Sequence, residues 1–272
     1  MTQPALPVTP ELARRLSGDP LLLLLDVDGT LSPIAPRPEY ATVPPETQRV
    51  LTALVALPGV HVASISGRAA DDARRLVGVD GTWTIGNHGF ELARPNAPTR
   101  ARDDVAAFAP RIAEAARRAE AIAARDAGVI VENKRWTLSV HYRLAHPRVV
   151  PELTAQIEAI ATELGLRLTR GKEVLELRPP IDIDKGTAAV DLARQLGALA
   201  DGASILCAGD DRTDEDAFRA LRAAMPSAVT VRVGGEASAR ETAAEFIVPD
   251  PDAMRVLLES LLARRRASSA VG

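Results

Sequence analysis

Five consecutive leucines, Leu21 to Leu25, run through Asp26-Val27-Asp28 into Gly29-Thr30. An apolar run of this kind has no polar face, so it reads as a strand buried on both sides in a parallel sheet, ended by a turn. It is far too short to cross a bilayer. The pattern recurs: Val60 to Ile65 stops at Ser66-Gly67-Arg68, and Ala203 to Ala208 stops at an acidic loop. Helical stretches from Glu46 to Leu57 and from Lys185 to Leu196 alternate with these runs. Strand, helix, strand is the grammar of an α/β sheet. Val229 to Val233 and Phe246 to Val248 continue the sheet, and an amphipathic helix from Asp252 to Arg264 closes it. Residues 1–20 read as a polar leader with one short helical pattern from Pro10 to Leu16.

Near Phe90 the grammar changes. A long alanine-rich helical stretch from Asp103 to Arg125 precedes two alternating segments, Val129 to Glu132 and Thr137 to Tyr142. A second helix, Pro151 to Leu164, leads to Leu166 to Thr169 and Glu173 to Arg178. Helix, strand, strand, repeated, is a compact α+β unit with an antiparallel sheet. The expected organisation is a Rossmann-like parallel-sheet core, 21–91 and 180–272, carrying an inserted domain at 92–179, with Pro179-Pro180 marking the return.

The net charge of -3 excludes a global basic field of the kind that draws a chain onto nucleic acid or an anionic membrane. The basic tail Arg264 to Arg266 reads as a frayed helix end that complements the dipole. The single cysteine, Cys207, lies in an apolar run and reads as a small buried hydrophobe, so no disulfide or cysteine-based zinc site is expected. Met-Thr-Gln-Pro lacks the charged start of a signal peptide, and the expected location is cytoplasmic.

Four polar clusters adjoin the predicted strands: Asp26 to Thr30, Ser66-Gly67, Lys185-Gly186 at a helix start, and Gly209 to Asp214. In open α/β sheets the ligand crevice lies beyond the carboxyl ends of the strands, so these loops can converge. Carboxylates brought together repel one another unless a divalent cation sits among them, and an all-oxygen set favours magnesium over zinc. Asp26 and Asp210 would supply carboxylates and Asp28 its backbone carbonyl. A carboxylate attacks a phosphate dianion only once the charge between them is neutralised. Magnesium, Lys185 and the Ser66 hydroxyl would do this while holding phosphorus in line with Asp26. Asp28 would protonate the departing oxygen and then activate water. The competing reading of Asp26 to Thr30 alone is a polar turn.

In order and placement these clusters resemble the haloacid dehalogenase-like hydrolases, whose motifs are a DxD strand end, a Ser or Thr, a Lys, and an acidic GDxxxD loop. The resemblance implies Asp26 as nucleophile, Asp28 as acid and base, Ser66 and Lys185 as phosphate binders, and Asp210 as metal ligand. It implies a phosphatase or phosphomutase rather than a transport ATPase, which carries Thr where Asp28 stands. Asp211 and Asp214 either orient Lys185 or a metal-bound water, or are solvated acids favoured by a helix start.

Gly171-Lys172-Glu173-Val174-Leu175-Glu176-Leu177-Arg178-Pro179 is similar to the inserted-domain signature of the trehalose-6-phosphate phosphatases. Val131-Glu132-Asn133-Lys134 through Leu138 to Arg143, Ser66-Gly67-Arg68 and Asn87-His88-Gly89 also resemble that family. The resemblance implies Arg68, His88, Glu132, Lys134, His141, Arg143, Lys172 and Glu176 as substrate-binding residues. For the strand residues the alternative is a solvated sheet face of paired surface charges. His61, His146, Trp83 and Trp136 read as structural, with a sugar platform left open at Trp136.

The expectation is therefore magnesium-dependent release of phosphate from trehalose 6-phosphate, with the inserted domain closing over the site to select sugar and exclude water. Two alternatives stand beside it: another sugar phosphatase or a phosphomannomutase-like enzyme of the same fold, and a non-catalytic sugar-phosphate sensor or regulatory subunit. A small sugar phosphate is the expected partner. No synthase-sized region accompanies the chain, so coupling to a trehalose-6-phosphate synthase would run through a separate chain.

Overall fold

The computed structural model describes residues 9–171, 173–234 and 242–269, which form two compact units. One joins the chain up to Arg100 with the chain from Ile183 onward, and the other is Ala101–Asp182. In chain order the first unit opens with α1 (Pro10–Arg15), β1 (Leu21–Leu25), α2 (Pro45–Val55), β2 (Val60–Ile65) and α3 (Ala70–Val77). It continues through β3 (Trp83–Gly86), β4 (Glu91–Ala93) and β5 (Arg100–Ala101). The second unit holds α4 (Asp103–Ala106), α5 (Ala109–Ala123), β6 (Ile130–Asn133), β7 (Leu138–His141), α6 (Val150–Glu163), β8 (Arg167–Gly171) and β9 (Val174–Arg178). The first then resumes with α7 (Lys185–Gln195), β10 (Ser204–Gly209), α8 (Arg212–Ala224), β11 (Val229–Val233), β12 (Phe246–Val248) and α9 (Pro251–Ser269).

The large sheet has the order β12-β11-β10-β1-β2-β3-β4-β5, parallel from β12 through β3. Its central strand is the leucine run, and the reason for five leucines is visible in the packing. Leu21, Leu23 and Leu25 pack on one face with Leu12, Leu51, Leu54 and Leu257. Leu22 and Leu24 pack on the other with Leu192, Phe218 and Leu221. A strand whose alternate residues enter two different cores needs an apolar side chain at every position. From β1 the chain builds outward to β2 and β3, then returns to build β10, β11 and β12 on the other side. The order therefore reverses between β1 and β10, which opens a crevice at their carboxyl ends.

The second unit is a four-stranded antiparallel sheet, β6-β7-β9-β8, with α5 and α6 packed on one face. Leu138, Val140, Leu175 and Leu177 alternate into the shared core with Ile112, Leu153 and Ile157. The long helix expected over 103–125 is two helices, α4 and α5, broken at Ala107-Phe108.

Three expectations need correction. The compact units divide at 100/101 and 182/183 rather than at the expected 91/92 and 179/180, and β4 still pairs antiparallel with β3, which keeps 91–93 in the first unit. The leader is part of the core from Pro10 onward: α1 buries Leu12 and Leu16, and Arg15 forks onto Glu245 at 2.6 and 2.7 Å while donating to the Ser227 and Ala228 carbonyls. The basic tail is not frayed. Helix α9 runs through it, and Arg265 donates to the carbonyls of Ser17 and Gly18 at 3.1 and 2.6 Å.

Leu24 is fully buried at the centre of the sheet. Leu24→Ala should lower the unfolding free energy by about 2–5 kcal/mol, since it leaves a cavity that close-packed neighbours fill only in part. Urea unfolding with an unchanged slope is the measurement, and a loss under about 1 kcal/mol would show that the core relaxes around the gap.

Candidate active site

The carboxyl ends of β1, β2 and β10 each lead into a polar residue, and a helix start brings Lys185 against the first of these. Asp26 follows β1, its amide bonded to the Ala208 carbonyl of β10 at 2.9 Å. Ser66 follows β2, its amide bonded to the Ile85 carbonyl of β3. Lys185 opens α7, which is fixed by a capping box between Asp184 and Thr187. Asp210 follows β10, and Asp211 caps α8 in a second capping box with Asp214. Helices α7 and α8 pack so closely that a Cβ on Gly186 would lie 2.6 Å from the Asp216 carbonyl oxygen.

Lys185 is the centre of this arrangement. Its Nζ donates to Asp26 Oδ1 at 2.7 Å and to Asp214 Oδ1 at 2.8 Å, and none of the three side chains is more than 6% exposed. Asp214 Oδ2 accepts from the amides of Asp210 and Asp211, both at 3.0 Å, so one carboxylate ties the ammonium to the acidic loop. Asp211 is farther from Lys185, at 3.9 Å, and its Oδ1 accepts from the amides of Thr213 and Asp214. Of the two acids the sequence left open, Asp214 holds Lys185 and Asp211 serves the helix start. Arg232 secures the same loop by donating to the Asp211 carbonyl at 2.6 Å.

Carboxylate oxygens of Asp26, Asp210 and Asp214 lie within 4.8 Å of one another. Burial pushes Asp26 up to about 7, against the pull of Lys185 and with Asp210 and Asp211 adding to the rise. Burial also pushes Asp210 up to about 7, reinforced by Asp214 and Asp211. Burial alone would lower Lys185, but Asp26, Asp214 and Asp211 hold its proton more tightly than usual. One ammonium against three clustered carboxylates leaves a net negative, all-oxygen site, the chemistry that suits a divalent cation. The loop geometry fits as well. Gly29 sits at φ 90°, and a Cβ there would lie 2.2 Å from Asp210 Oδ2, so only glycine lets the two loops meet. The backbone bridge between this loop and Ser32 uses the Val27 carbonyl and the Gly29 amide, leaving the Asp28 carbonyl outside it. Asp214 as a member of this carboxylate cluster was missed from sequence, although its spacing three residues after Asp211 is that of a capping box.

The remaining expected residues divide between the two units. In the first, Arg68 forks onto Asp28 at 2.6 and 2.7 Å instead of standing open. His88 lies against Gly67, where a Cβ would come within 2.6 Å of its ring. In the second, pairing aligns Glu132, Ser139, Glu176 and Thr169 in one row across the sheet, on the face away from α5 and α6. His141 joins this face, its Nε2 3.1 Å from Glu132 Oε2, and Lys134 approaches the same oxygen at 3.7 Å. Arg143 stands apart, paired with Glu173 at 2.9 Å beyond the strand end. Lys172 lies outside the described residues. Trp136 is buried and stacked under Arg135, whose guanidinium is 4.6 Å from the ring centroid. Among the described residues no helix is long and apolar enough to cross a membrane.

A crystal structure described as that of a trehalose-6-phosphate phosphatase related protein superposes with a TM-score of 0.76 at 26% identity, covering 89% of this chain and 97% of that one. The trehalose-6-phosphate phosphatase of Aspergillus fumigatus superposes with a TM-score of 0.68 at 27% identity, covering 97% and 99%. The fold is thus that of the haloacid dehalogenase-like hydrolases, an α/β core carrying an inserted unit. A family model described as Trehalose-phosphatase matches residues 24–252, and this chain belongs to that family. The trehalose-phosphate phosphatase of Mycobacterium avium is 39% identical over 238 residues, 87% of this chain and 60% of that protein. A Mycobacterium tuberculosis protein described as an uncharacterized glycosyl hydrolase is 42% identical over 228 residues, 80% of this chain and 16% of its own length. The chain therefore spans 60% of the first of these relatives and 16% of the second.

The raised carboxyls give a pH dependence of stability with a definite sign. A carboxyl whose proton is held more tightly in the folded state favours folding at low pH and loses that contribution as pH rises towards 7. In chelator, the melting temperature should fall between pH 5 and pH 7.5, and Asp210→Asn should flatten the fall. Added magnesium should raise it more at pH 7.5 than at pH 5. A melting temperature gain equal at both values would refute the clustered-carboxylate account.

Proposed function

We propose that this chain is a magnesium-dependent phosphatase that hydrolyses trehalose 6-phosphate to trehalose and phosphate through a phospho-aspartate on Asp26. The observation that carries this reading is the buried contact of Lys185 with Asp26 and Asp214 beside Asp210, at the switch point of the sheet. Family membership and the relatives named as trehalose-phosphate phosphatases support the substrate. Asp26, Asp210, Asp214 and the Asp28 carbonyl would hold the cation, which when bound neutralises charge on the phosphate.

The chain's own residues then divide the work. Lys185 engages Asp26 Oδ1, which leaves Oδ2 to attack phosphorus. Lys185 and the Ser66 hydroxyl hold the phosphate oxygens in line with that attack. As the phosphorus–oxygen bond to the sugar breaks, Asp28 gives its proton to the departing oxygen. Asp28 then takes a proton from water, whose oxygen attacks the phosphorus on Asp26 and frees phosphate and the carboxylate. Glu176, Glu132 and His141, with Lys134 beside them, would engage the sugar hydroxyls. The sugar phosphate would come from a separate synthase chain, and the reaction is expected in the cytoplasm.

Asp26→Asn, which leaves Lys185 paired with Asp214, should lose some stability yet still fold, and should release no phosphate from trehalose 6-phosphate, because an amide cannot attack phosphorus. Appreciable turnover by the folded variant would end the phospho-aspartate mechanism. Chelation should abolish activity and magnesium should restore it, while calcium, which prefers more ligands at longer distances, should substitute poorly. Full activity in chelator would overturn the metal assignment.

Glu176→Ala separates sugar selection from phosphate chemistry. A hydrogen bond to a charged group is worth roughly 1.5–3 kcal/mol, so losing one or two should lower kcat/KM on trehalose 6-phosphate by about 10- to 1,000-fold. Hydrolysis of a small aryl phosphate should change by no more than about threefold, since it needs only the core residues. Equal losses on both substrates would assign Glu176 to the fold, and no loss on either would return it to a solvated face.

A further inference from the structure

The guanidinium of Arg68 is committed to a carboxylate rather than left open for substrate. Nε donates to Asp28 Oδ2 at 2.6 Å and a terminal nitrogen to Oδ1 at 2.7 Å, while the same nitrogen reaches the Pro38 carbonyl at 3.0 Å. Asp28 is 37% exposed, and among the described residues its carboxylate has no other hydrogen-bond donor. Left to itself, a side chain at such a site would sample several rotamers.

The arm that carries Arg68 is itself held. The Arg68 amide donates to Ser66 Oγ at 3.1 Å, the Arg68 carbonyl accepts from the Asn87 amide at 2.7 Å, and the Ser66 carbonyl accepts from the His88 amide at 3.1 Å. To make those contacts the 87–89 turn adopts φ of 48°, 55° and 111°, a left-handed run that Asn87 and His88 occupy at a cost. Strain is thus spent on placing the 66–68 loop, and the loop places the fork.

We infer that Arg68 is a positioning residue that fixes the plane and aim of the Asp28 carboxylate. A guanidinium fork sets the orientation of a carboxylate in a way that a single ammonium does not. It occupies about two of the roughly four lone-pair positions of the carboxylate and leaves the others for proton exchange with substrate. The inference rests on the phosphatase reading, in which Asp28 protonates the leaving oxygen.

The test uses two small esters without sugar, phenyl phosphate and 2,4-dinitrophenyl phosphate, and reads kcat/KM, which covers the chain of events only through transfer to Asp26. Dinitrophenolate departs without a proton, whereas phenolate needs one. Arg68→Ala should lose about 10- to 100-fold on phenyl phosphate and no more than about threefold on the dinitrophenyl ester, part of what a positioned acid contributes. Arg68→Lys, which keeps the charge and loses the fork, should recover only a small part. Asp28→Asn, run alongside, should show the same selectivity. Equal losses of Arg68→Ala on both esters would make Arg68 a phosphate binder or a fold residue and overturn the inference, as would no loss on either. Selectivity in Asp28→Asn without selectivity in Arg68→Ala would overturn the role of Arg68 alone. Its absence in Asp28→Asn would overturn Asp28 as the acid, and the inference with it.

Discussion

The ammonium of Lys185 is the contact on which the catalytic end of the core depends. A lysine that is 2% exposed would ordinarily lose its proton, because burial disfavours charge. Here Asp26 and Asp214 stand within 2.8 Å of it, and the pair cannot be separated without leaving a buried charge alone, a loss of several kcal/mol. Asp26 comes from the first strand, Lys185 from the helix that follows the second unit, and Asp214 from the helix after β10. Three segments distant in sequence are thus fixed by one contact. The same contact leaves an excess of negative charge, since Asp210 joins the group without an ammonium of its own, and that excess is what a divalent cation would cancel.

Much of this was legible before the fold was known. The apolar runs that become β1, β2, β10, β11 and β12 stop where polar loops begin, and strand ends in an α/β sheet are where a crevice opens. Asp26, Ser66 and Asp210 could be named because each is a polar residue at the abrupt end of an apolar pattern, and Lys185 because it opens a helical stretch. Elements without such a pattern were harder to see. Helix α3 packs through Ala70, Ala73 and Val77, and two alanines give little hydrophobic contrast among Asp and Arg. Strand β4 is three residues long, too short for a readable alternation, and the expected boundary at 91/92 falls inside it.

Pairing partners were the least legible feature. The family resemblance implies Arg68 at the substrate, and the partner it meets in the fold is an acid 40 residues away that chain neighbours do not reveal. Asp211 and Asp214 could not be told apart for the same reason: both are acids at a helix start, and only the position of Lys185 separates the cap from the ion-pair partner. In the second unit the strand register was the missing information. Once Glu132, Ser139, Glu176 and Thr169 are known to lie in one row, their common face is set by the period of the strand, and the apolar residues between them are committed to the helices. Arg143 lies off the end of that row, and its bond to Glu173 is of the exposed kind that contributes little.

The two acids of the Asp26-Val27-Asp28 turn show how placement separates roles that residue type cannot. Asp26 is 4% exposed and meets a lysine, a compact charge that can share its field among Asp26, Asp214 and an incoming phosphate. Asp28, one residue beyond Val27, is partly exposed and meets an arginine, whose planar fork restrains direction more than it shares charge. The backbone between them turns out of the sheet at a bridge to Ser32, and Gly29 lets that turn pass against the Asp210 carboxylate. In the proposed mechanism the nucleophile needs a buried, field-neutralised oxygen, and the proton carrier needs access and a fixed aim. The strand end supplies the first position and the turn the second, so exchanging the two cations would leave each acid with the restraint suited to the other.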